Sequence, residues 1–216
     1  MTVDYNNFAK SFADSRKNMK WAELEYFFSH MQQGSILDIW CGSGRLIEQY
    51  NEYFWNLPKA YLWLDLSQGL LDEAKKRYSK MNFTQGNMLN IINISKWSKF
   101  SNVFLIASFH HLQSINDRVL FLHNLYQVLD DWARVYMTNW ALNSSFNKKR
   151  YISSHIFWSE NKYGSIDYNI KIGKEMRYYH CFSLEELESL SRKAWFKLIE
   201  NRLFEGERNF ITILEK

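Results

Sequence analysis

The sequence predicts an α/β fold: a mostly parallel seven-stranded sheet with an antiparallel C-terminal strand and helices on both faces. Three observations predict it. Short apolar runs alternate with stretches whose apolar residues recur at helical spacing, the pattern of strand–helix–strand units. The first apolar run, S-I-L-D-I-W-C-G-S-G over residues 35–44, ends in a glycine-rich turn that opens a helix at Arg45. Asp65 ends the second run about twenty residues beyond that turn, the usual place for an acid that takes a ribose.

The elements follow in order. Residues 4–16 are polar with spaced aromatics (Tyr5, Phe8, Phe12), and Trp21, Leu24, Phe27, Phe28 and Met31 recur at helical spacing. The spacing predicts an amphipathic helix over 18–32, stopped near Gly34, so that residues 1–33 form a helical cap. Strand one, 36–40, leads into a helix to about Asn51 with Leu46, Ile47 and Tyr50 inward. Strand two spans 60–65, and Ser67 is a natural N-cap for a helix over 68–79 striped by Leu70, Leu71 and Ala74. A short third strand covers 82–85. Val103 to Ala107 is almost wholly apolar, as a strand buried on both faces should be. A helix over 115–129 aligns Val119, Leu122, Leu125 and Leu129, and strand five is 134–140. Residues 141–180, richer in Asn, Ser, Lys and Tyr, read as an insertion on the substrate side with weak elements of its own. Ser183 and Glu186 form a capping box for a helix to about Lys193. Two late strands, 196–202 and 209–214, pair antiparallel through Glu205-Gly206. All of this fits one domain over residues 1–216.

Composition narrows the class. A formal charge of +4 permits a polyanionic partner without requiring one. Two cysteines, Cys41 and Cys181, are too few for a disulfide framework or a cysteine zinc site, so no metal is expected. The N-terminus M-T-V-D-Y-N-N-F-A-K has no apolar signal core, and no run approaches the ~18 apolar residues of a membrane span. A soluble cytoplasmic protein is the expectation.

Turn plus acid alone would also fit a nicotinamide cofactor. However, the third glycine of G-x-G-x-x-G is missing, because Ile47 stands there. The ordered series I-L-D-I-x-C-G-S-G-R-L, Y-L-x-L-D-L-S, F-T-Q-G-N-M-L and V-F-L-I-A-S-F-H-H-L, within residues 35–140, resembles the motif series of class I S-adenosylmethionine-dependent methyltransferases. The resemblance implies their Rossmann-like fold and S-adenosylmethionine as cofactor. It implies that Asp38 and the turn (Trp40, Cys41, Gly42, Ser43, Gly44) hold the methionine end and Asp65 the ribose. Leu66 and Ser67 would flank the adenosine, Asn87 and Met88 would take the adenine, and Ala107 and Ser108 would line the methyl end. Many members carry Asp where this chain has Asn87; an amide can still hydrogen-bond adenine. Cys41 reads as a small core residue rather than a nucleophile.

Tryptophan stands where that family usually has glycine. Trp40 occupies the first glycine of the turn, Trp63 the glycine of G-x-D, Trp132 a glycine of the P-G-G-R-V lead-in to strand five, and Trp195 that of A-G-F. The chain has 8 glycines and 9 tryptophans, whereas usual glycine content near ~7% would give about fifteen. The reading taken is that these four codons are UGA, decoded as glycine in the source organism; a genuine indole at each site is the alternative. Trp21 and Trp140 suit their aromatic patterns, while Trp55, Trp97 and Trp158 are undecided.

F-A-K-S-F-A-D-S-R before Trp21, F-H-H-L, M-T-N-W-A-L and R-Y-Y-H-C-F also resemble a subgroup, the tRNA wobble-uridine carboxymethyl methyltransferases. That resemblance implies tRNA as substrate, a methyl ester as product, and a small activating protein partner in some relatives. A carboxylate acceptor needs no general base, only donors that orient it, and Arg16, His110 and His111 are the candidates, with Arg177 and Tyr178 behind them. Lys148, Lys149 and Arg150, with Lys171, Lys174 and Arg177, could track phosphates, and Tyr151, Tyr178 and Tyr179 could stack on bases; a simply solvated charge run is the alternative. Two other readings stay open: a small-molecule or protein methyltransferase, and a non-catalytic partner subunit that the Trp40 indole would favour.

Overall fold

The computed structural model describes residues 5–16, 19–58, 60–96, 98–172 and 175–216; Trp97 and Lys174 lie outside them. In chain order the strands are β1 Ile36–Ile39, β2 Tyr61–Asp65, β3 Phe83–Gln85, β4 Phe100–Ile106, β5 Leu129–Trp140, β6 Ile166–Ile172, β7 Glu175–Cys181, β8 Lys197–Leu203 and β9 Asn209–Glu215. The helices are α1 Ala9–Asp14, α2 Ala22–Ser29, α3 Arg45–Phe54, α4 Gln68–Arg77, α5 Ile91–Ser95, α6 Ile115–Gln127, α7 Lys148–Tyr151 and α8 Leu184–Lys193.

Seven strands form one sheet in the order β3-β2-β1-β4-β5-β9-β8, and β9 alone runs against its neighbours. The chain first works outward from β1 to β3 and then returns to β4. The crevice at the carboxyl ends of β1 and β4 is therefore the switch point where such sheets bind ligands.

The apolar strands are explained by two cores, one on each face. Alternate residues of β4 part between them: Val103 and Leu105 pack with α6 and α8 (Phe121, Leu125, Leu187), while Phe104 packs with α2, α3 and α4 (Phe27, Ile47, Leu71). At ~25 cal/mol per Å², each fully buried Leu or Phe contributes roughly 2 kcal/mol.

Several boundaries differ from the sequence expectation, each for a local reason. Helix α2 begins at Ala22 because Trp21 is extended (φ −115) and its N–H is taken by the Gln49 side chain at 3.1 Å. β5 starts at Leu129, five residues early, with a register shift opposite Phe100–Asn102. Ile166–Ile172 and Glu175–Cys181, at the end of the expected insertion, form a regular antiparallel pair, β6–β7, with a small core of Leu142, Tyr168, Ile170, Tyr179 and Cys181.

The N-terminal strap, a 3-10 turn over Tyr5–Phe8 and then α1, lies on the start of α4. Asn6 Oδ1 accepts the Gly69 N–H at 2.8 Å, and a Cβ at Gly69 would meet Ala9 Cβ at 3.0 Å. Glycine is what lets the strap sit that close. Among the described residues no helix is long and apolar enough to cross a membrane, and no group of His, Cys, Asp and Glu could hold a metal.

Candidate cofactor and acceptor site

A cavity of about 620 Å³ opens over the carboxyl ends of β1, β2 and β4, roofed by the N-terminal strap and walled by β7. Its floor is the turn after β1. Gly42 (φ +57) and Gly44 (φ +84) supply the left-handed backbone that the turn needs, and a Cβ on Gly42 would meet nothing within 4 Å. The space over Gly42 is thus open to a ligand.

Asp65 fixes this floor. Its Oδ2 accepts the Gly42 N–H at 2.8 Å, and its Oδ1 accepts the Ser67 N–H at 2.8 Å. Burial pushes the carboxyl up to about 6, against the three backbone amides of Ser67, Gly42 and Leu66 that favour its charge. Asp38 is also buried, and burial with the neighbouring Asp65 charge raises it well above the usual carboxylate range. Ser67 caps α4 through Leu70 N–H (3.3 Å), and Asn87 caps the next turn through Leu89 N–H (3.0 Å). Burial raises the Cys41 thiol far from a thiolate, which fits a packing residue.

The other wall belongs to β4, β5 and β7. Trp140 N–H donates to His110 Nδ1 at 3.2 Å, so the His110 proton sits on Nε2, which is buried and has no partner. His111 donates Nδ1–H to the Tyr178 carbonyl at 2.9 Å. Burial keeps both rings neutral: it lowers His110 well below the ordinary histidine value and brings His111 to about 4, aided by the Arg177 charge.

Arginine concentrates at this end. Arg177 is only 3% exposed, yet its Nε and Nη2 have no hydrogen-bond partner. Its guanidinium lies 4.3 Å from the Tyr5 ring centre and 5.3 Å from that of Phe12; Arg16 covers the same Phe12 ring at 3.5 Å. Burial, and then repulsion from Arg177, lowers the Arg16 pKa. Nearer the turn, Arg45 holds the Arg16 carbonyl at 2.7 Å and stacks on Trp21 at 4.6 Å, with its Nη1 buried and unpartnered. Among the described residues none of these three arginines ion-pairs with a carboxylate.

Most residues singled out from sequence come together in this cavity: Arg16, Asp38, Trp40, Cys41, Gly42, Ser43, Asp65, Leu66, Ser67, Asn87, Met88, Ala107, His110, His111, Arg177 and Tyr178. Gly44 and Ser108 do not line it. Gly44 is buried behind the turn, and Ser108 is fully buried before the Phe109–His111 turn. Lys148, Lys149 and Arg150 also lie elsewhere, on the exposed face of the one-turn helix α7. Tyr178 turns its hydroxyl away, to Asp167 at 2.7 Å and Arg118 at 3.1 Å.

Sequence reading missed Tyr5 and Arg45 as cavity residues, while Tyr179, expected on the substrate side, does line the cavity. The aromatic spacing of Tyr5, Phe8 and Phe12 signalled a packed face, but nothing local showed that its partner is Arg177.

One residue fits the cofactor site poorly. Trp40 sits in the turn at φ +64, stacks on His111 at 5.1 Å, and leaves its Nε1–H buried without a partner. The open Gly42, the oxygens of Asp65 and the apolar wall of Leu66 and Met88 otherwise suit an adenosine ligand with a charged tail.

Comparison with known proteins matches residues 36–131 to the model of a methyltransferase domain family. A candidate methyltransferase of Encephalitozoon cuniculi is 24% identical over 214 residues, 98% of this chain and 93% of its own. Among solved structures, a S-adenosylmethionine-dependent methyltransferase of Clostridium acetobutylicum superposes with a TM-score of 0.69 at 14% identity, over 98% of each chain. The 1,6-didemethyltoxoflavin N1-methyltransferase of Burkholderia thailandensis, solved with bound 1,6-didemethyltoxoflavin and S-adenosylhomocysteine, gives a TM-score of 0.65 at 16% identity, over 97% of this chain and 85% of that one. The matched span runs from the first residue of β1 into β5.

Proposed function

We propose that this chain, a S-adenosylmethionine-dependent methyltransferase of the class I fold by its domain match and its sheet, methylates a carboxylate: the carboxymethyl group on a wobble uridine of tRNA. The observation that carries this reading is the acid-free pair Arg177 and Arg16 at the β4–β7 end of the cavity, with two buried Arg177 donors unpartnered. A buried guanidinium without a counter-ion is costly unless a ligand supplies the anion. A planar carboxylate matches the geometry of its donors.

The residues that would hold the cofactor are Asp38 and the turn for the methionine part, Asp65 for the ribose hydroxyls, Leu66 and Ser67 beside the adenosine, and Asn87 with Met88 for the adenine. When bound, S-adenosylmethionine supplies an electrophilic methyl group on a positively charged sulfur, open to in-line displacement. The chain's own part is positioning. Arg177 and Arg16 hold one carboxylate oxygen back, the neutral His110 offers Nε2–H as a further donor, and the other oxygen is left to attack. No base is needed, because a carboxylate is already ionised near neutral pH. The strap over Arg177 excludes water from this end. Lys148, Lys149 and Arg150, exposed on α7, would meet the phosphates of the same tRNA, giving binding a steep salt dependence.

The test is transfer of labelled methyl groups to bulk tRNA and to tRNA lacking wobble carboxymethyluridine. Labelling of the first alone, released by mild base as an ester should be, is the expected result. Equal labelling of both, or a base-stable label, refutes the wobble assignment. Labelling of small carboxylic acids with none of tRNA moves the acceptor to the small-molecule class.

A further inference from the structure

Tryptophan is a bulky residue that rarely adopts the left-handed backbone region, where Cβ is driven toward the following carbonyl. In this chain five tryptophans sit there: Trp40 (φ +64), Trp55 (+56), Trp132 (+66), Trp158 (+71) and Trp195 (+68). Among the described residues, five glycines have positive φ as well, so tryptophan fills that role as often as glycine does.

The local motifs at these sites are the ones glycine builds. At the end of α8, Phe196 N–H reaches back to the Ser191 carbonyl (3.0 Å) and Trp195 N–H to the Arg192 carbonyl (3.1 Å). That pair is a Schellman cap, whose left-handed residue, here Trp195, is usually glycine. Trp55 is the left-handed cap of α3, its N–H on the Asn51 carbonyl at 2.9 Å. Trp158 is the third residue of a turn closed by Ser159 N–H on Ile156 at 3.2 Å, where positive φ calls for glycine.

Four of the five side chains are largely exposed, although Trp195 meets the His123 and Tyr126 rings edge-on at 4.3 and 5.8 Å. Trp55 is 90% exposed, Trp132 69%, Trp158 100% and Trp195 62%. The contrast lies within the same chain: Trp21 is extended and stacked under Arg45, and Trp140 lies in β5 stacked on Tyr179 at 4.9 Å and 12°. Three of the four glycine sites inferred from sequence (40, 132, 195) thus have a left-handed backbone, and two that the pattern left undecided (55, 158) join them. Trp63 does not. It is fully buried in the regular strand β2, where the backbone asks for no glycine.

We propose that the protein made in its own cells carries glycine at positions 40, 55, 132, 158 and 195, through one reassigned codon, and that glycine at 40 leaves the methionine end of the cofactor cavity open beside His111. The cavity clause rests on the cofactor reading above; the residue identities do not.

The first arm is peptide mass analysis of the protein purified from its source. Glycine at the five positions, with tryptophan at 21 and 140, is expected, and tryptophan at any of the five overturns the proposal. The second arm compares the chain as written with the fivefold Trp→Gly variant. A melting midpoint higher by about 5–10 °C is expected from relieved strain, and an unchanged or lower midpoint contradicts it. The third arm titrates S-adenosylhomocysteine into both chains and into Trp40→Gly alone. At least tenfold tighter binding with glycine at 40 supports an opened cavity; equal affinity removes the cavity clause and leaves the first two arms standing.

Discussion

Asp65→Asn is the substitution that most directly tests whether the floor of the cavity holds the cofactor. The native carboxylate accepts backbone N–H groups on both oxygens, from Gly42 and from Ser67, each at 2.8 Å. Asparagine keeps one acceptor and turns an NH2 toward the other N–H, so one buried donor loses its partner at a cost of ~1–3 kcal/mol. It also removes the negative charge that would accept the ribose hydroxyls. Two charge-assisted hydrogen bonds weakened together should cost the cofactor at least ~3 kcal/mol, more than a hundredfold in affinity.

The pH dependence adds a second handle. Burial holds Asp65 near about 6 in the folded protein, above the ordinary carboxylate value. Between those two values the folded state binds more protons than the unfolded state. The group therefore adds stability at low pH, about 3 kcal/mol, which is lost as pH rises through about 6. Cofactor binding runs the opposite way, because the hydroxyls need the ionised form. Calorimetric titration of S-adenosylhomocysteine into protein with glycine at 40 should show affinity about tenfold lower at pH 5 than at pH 7. Asp65→Asn should bind weakly at both values, and any slope that remains belongs to Asp38, whose buried carboxyl is raised as well. If the variant keeps native affinity, Asp65 is not the ribose ligand.

Other outcomes follow from the same geometry. Arg177→Gln should raise the acceptor KM at least tenfold and leave S-adenosylhomocysteine affinity within about twofold, if each lost bond to the acceptor anion is worth ~1.5–3 kcal/mol; an equal loss for both ligands would place the cofactor's own carboxylate at Arg177. With His110 well below its ordinary value and His111 near about 4, kcat at saturating cofactor should be flat from about pH 6 to 8, and a limb titrating near ~6.5 would contradict the neutral rings. Burial works to raise Glu186, but hydrogen bonding and charge from His180 override it and hold the carboxyl at about 2; the stability it gives is present above the usual carboxylate value and lost as pH falls toward about 2. Glu186→Gln should cost ~3–5 kcal/mol at neutral pH in urea unfolding, because it leaves Arg118 and His180 buried with half their partner; a loss under ~1 kcal/mol would show that the cluster is not buried as described.

What sequence could and could not show divides along physical lines. The strands from β1 to β5 and the turn after β1 were legible because each is a local pattern: apolar runs, a glycine turn, an acid at fixed distance. The β6–β7 pair reads in sequence only as weak elements, although I-D-Y-N-I-K-I over 166–172 alternates as a half-buried strand should. Lys148–Arg150 drew attention as a charge run, and charge runs carry no address; the structure places them on an exposed turn away from the cavity. The cradle of Arg177 joins residues from opposite ends of the chain, and no local pattern encodes that. The left-handed tryptophans are the reverse case. A family pattern hinted at three of them, and backbone dihedrals picked out two more.

The two faces of β7 explain why this end of the cavity can hold a buried cation without a carboxylate partner. Arg177 and Tyr179 share one face, toward Tyr5, His110 and Trp140. Tyr178 and His180 share the other, where His180 bridges Asp167 (2.6 Å) and Glu186 (2.8 Å) and Arg118 ties Glu186 to the Tyr178 hydroxyl. A slip of β7 by one residue would exchange these faces, burying Arg177 against Arg118 and turning His180 into the cavity. Buried ionic clusters are often near neutral for stability when weighed against apolar packing. This one instead specifies register. By making a one-residue slip of β7 costly, it holds Arg177 toward the cavity with two of its donors unspent.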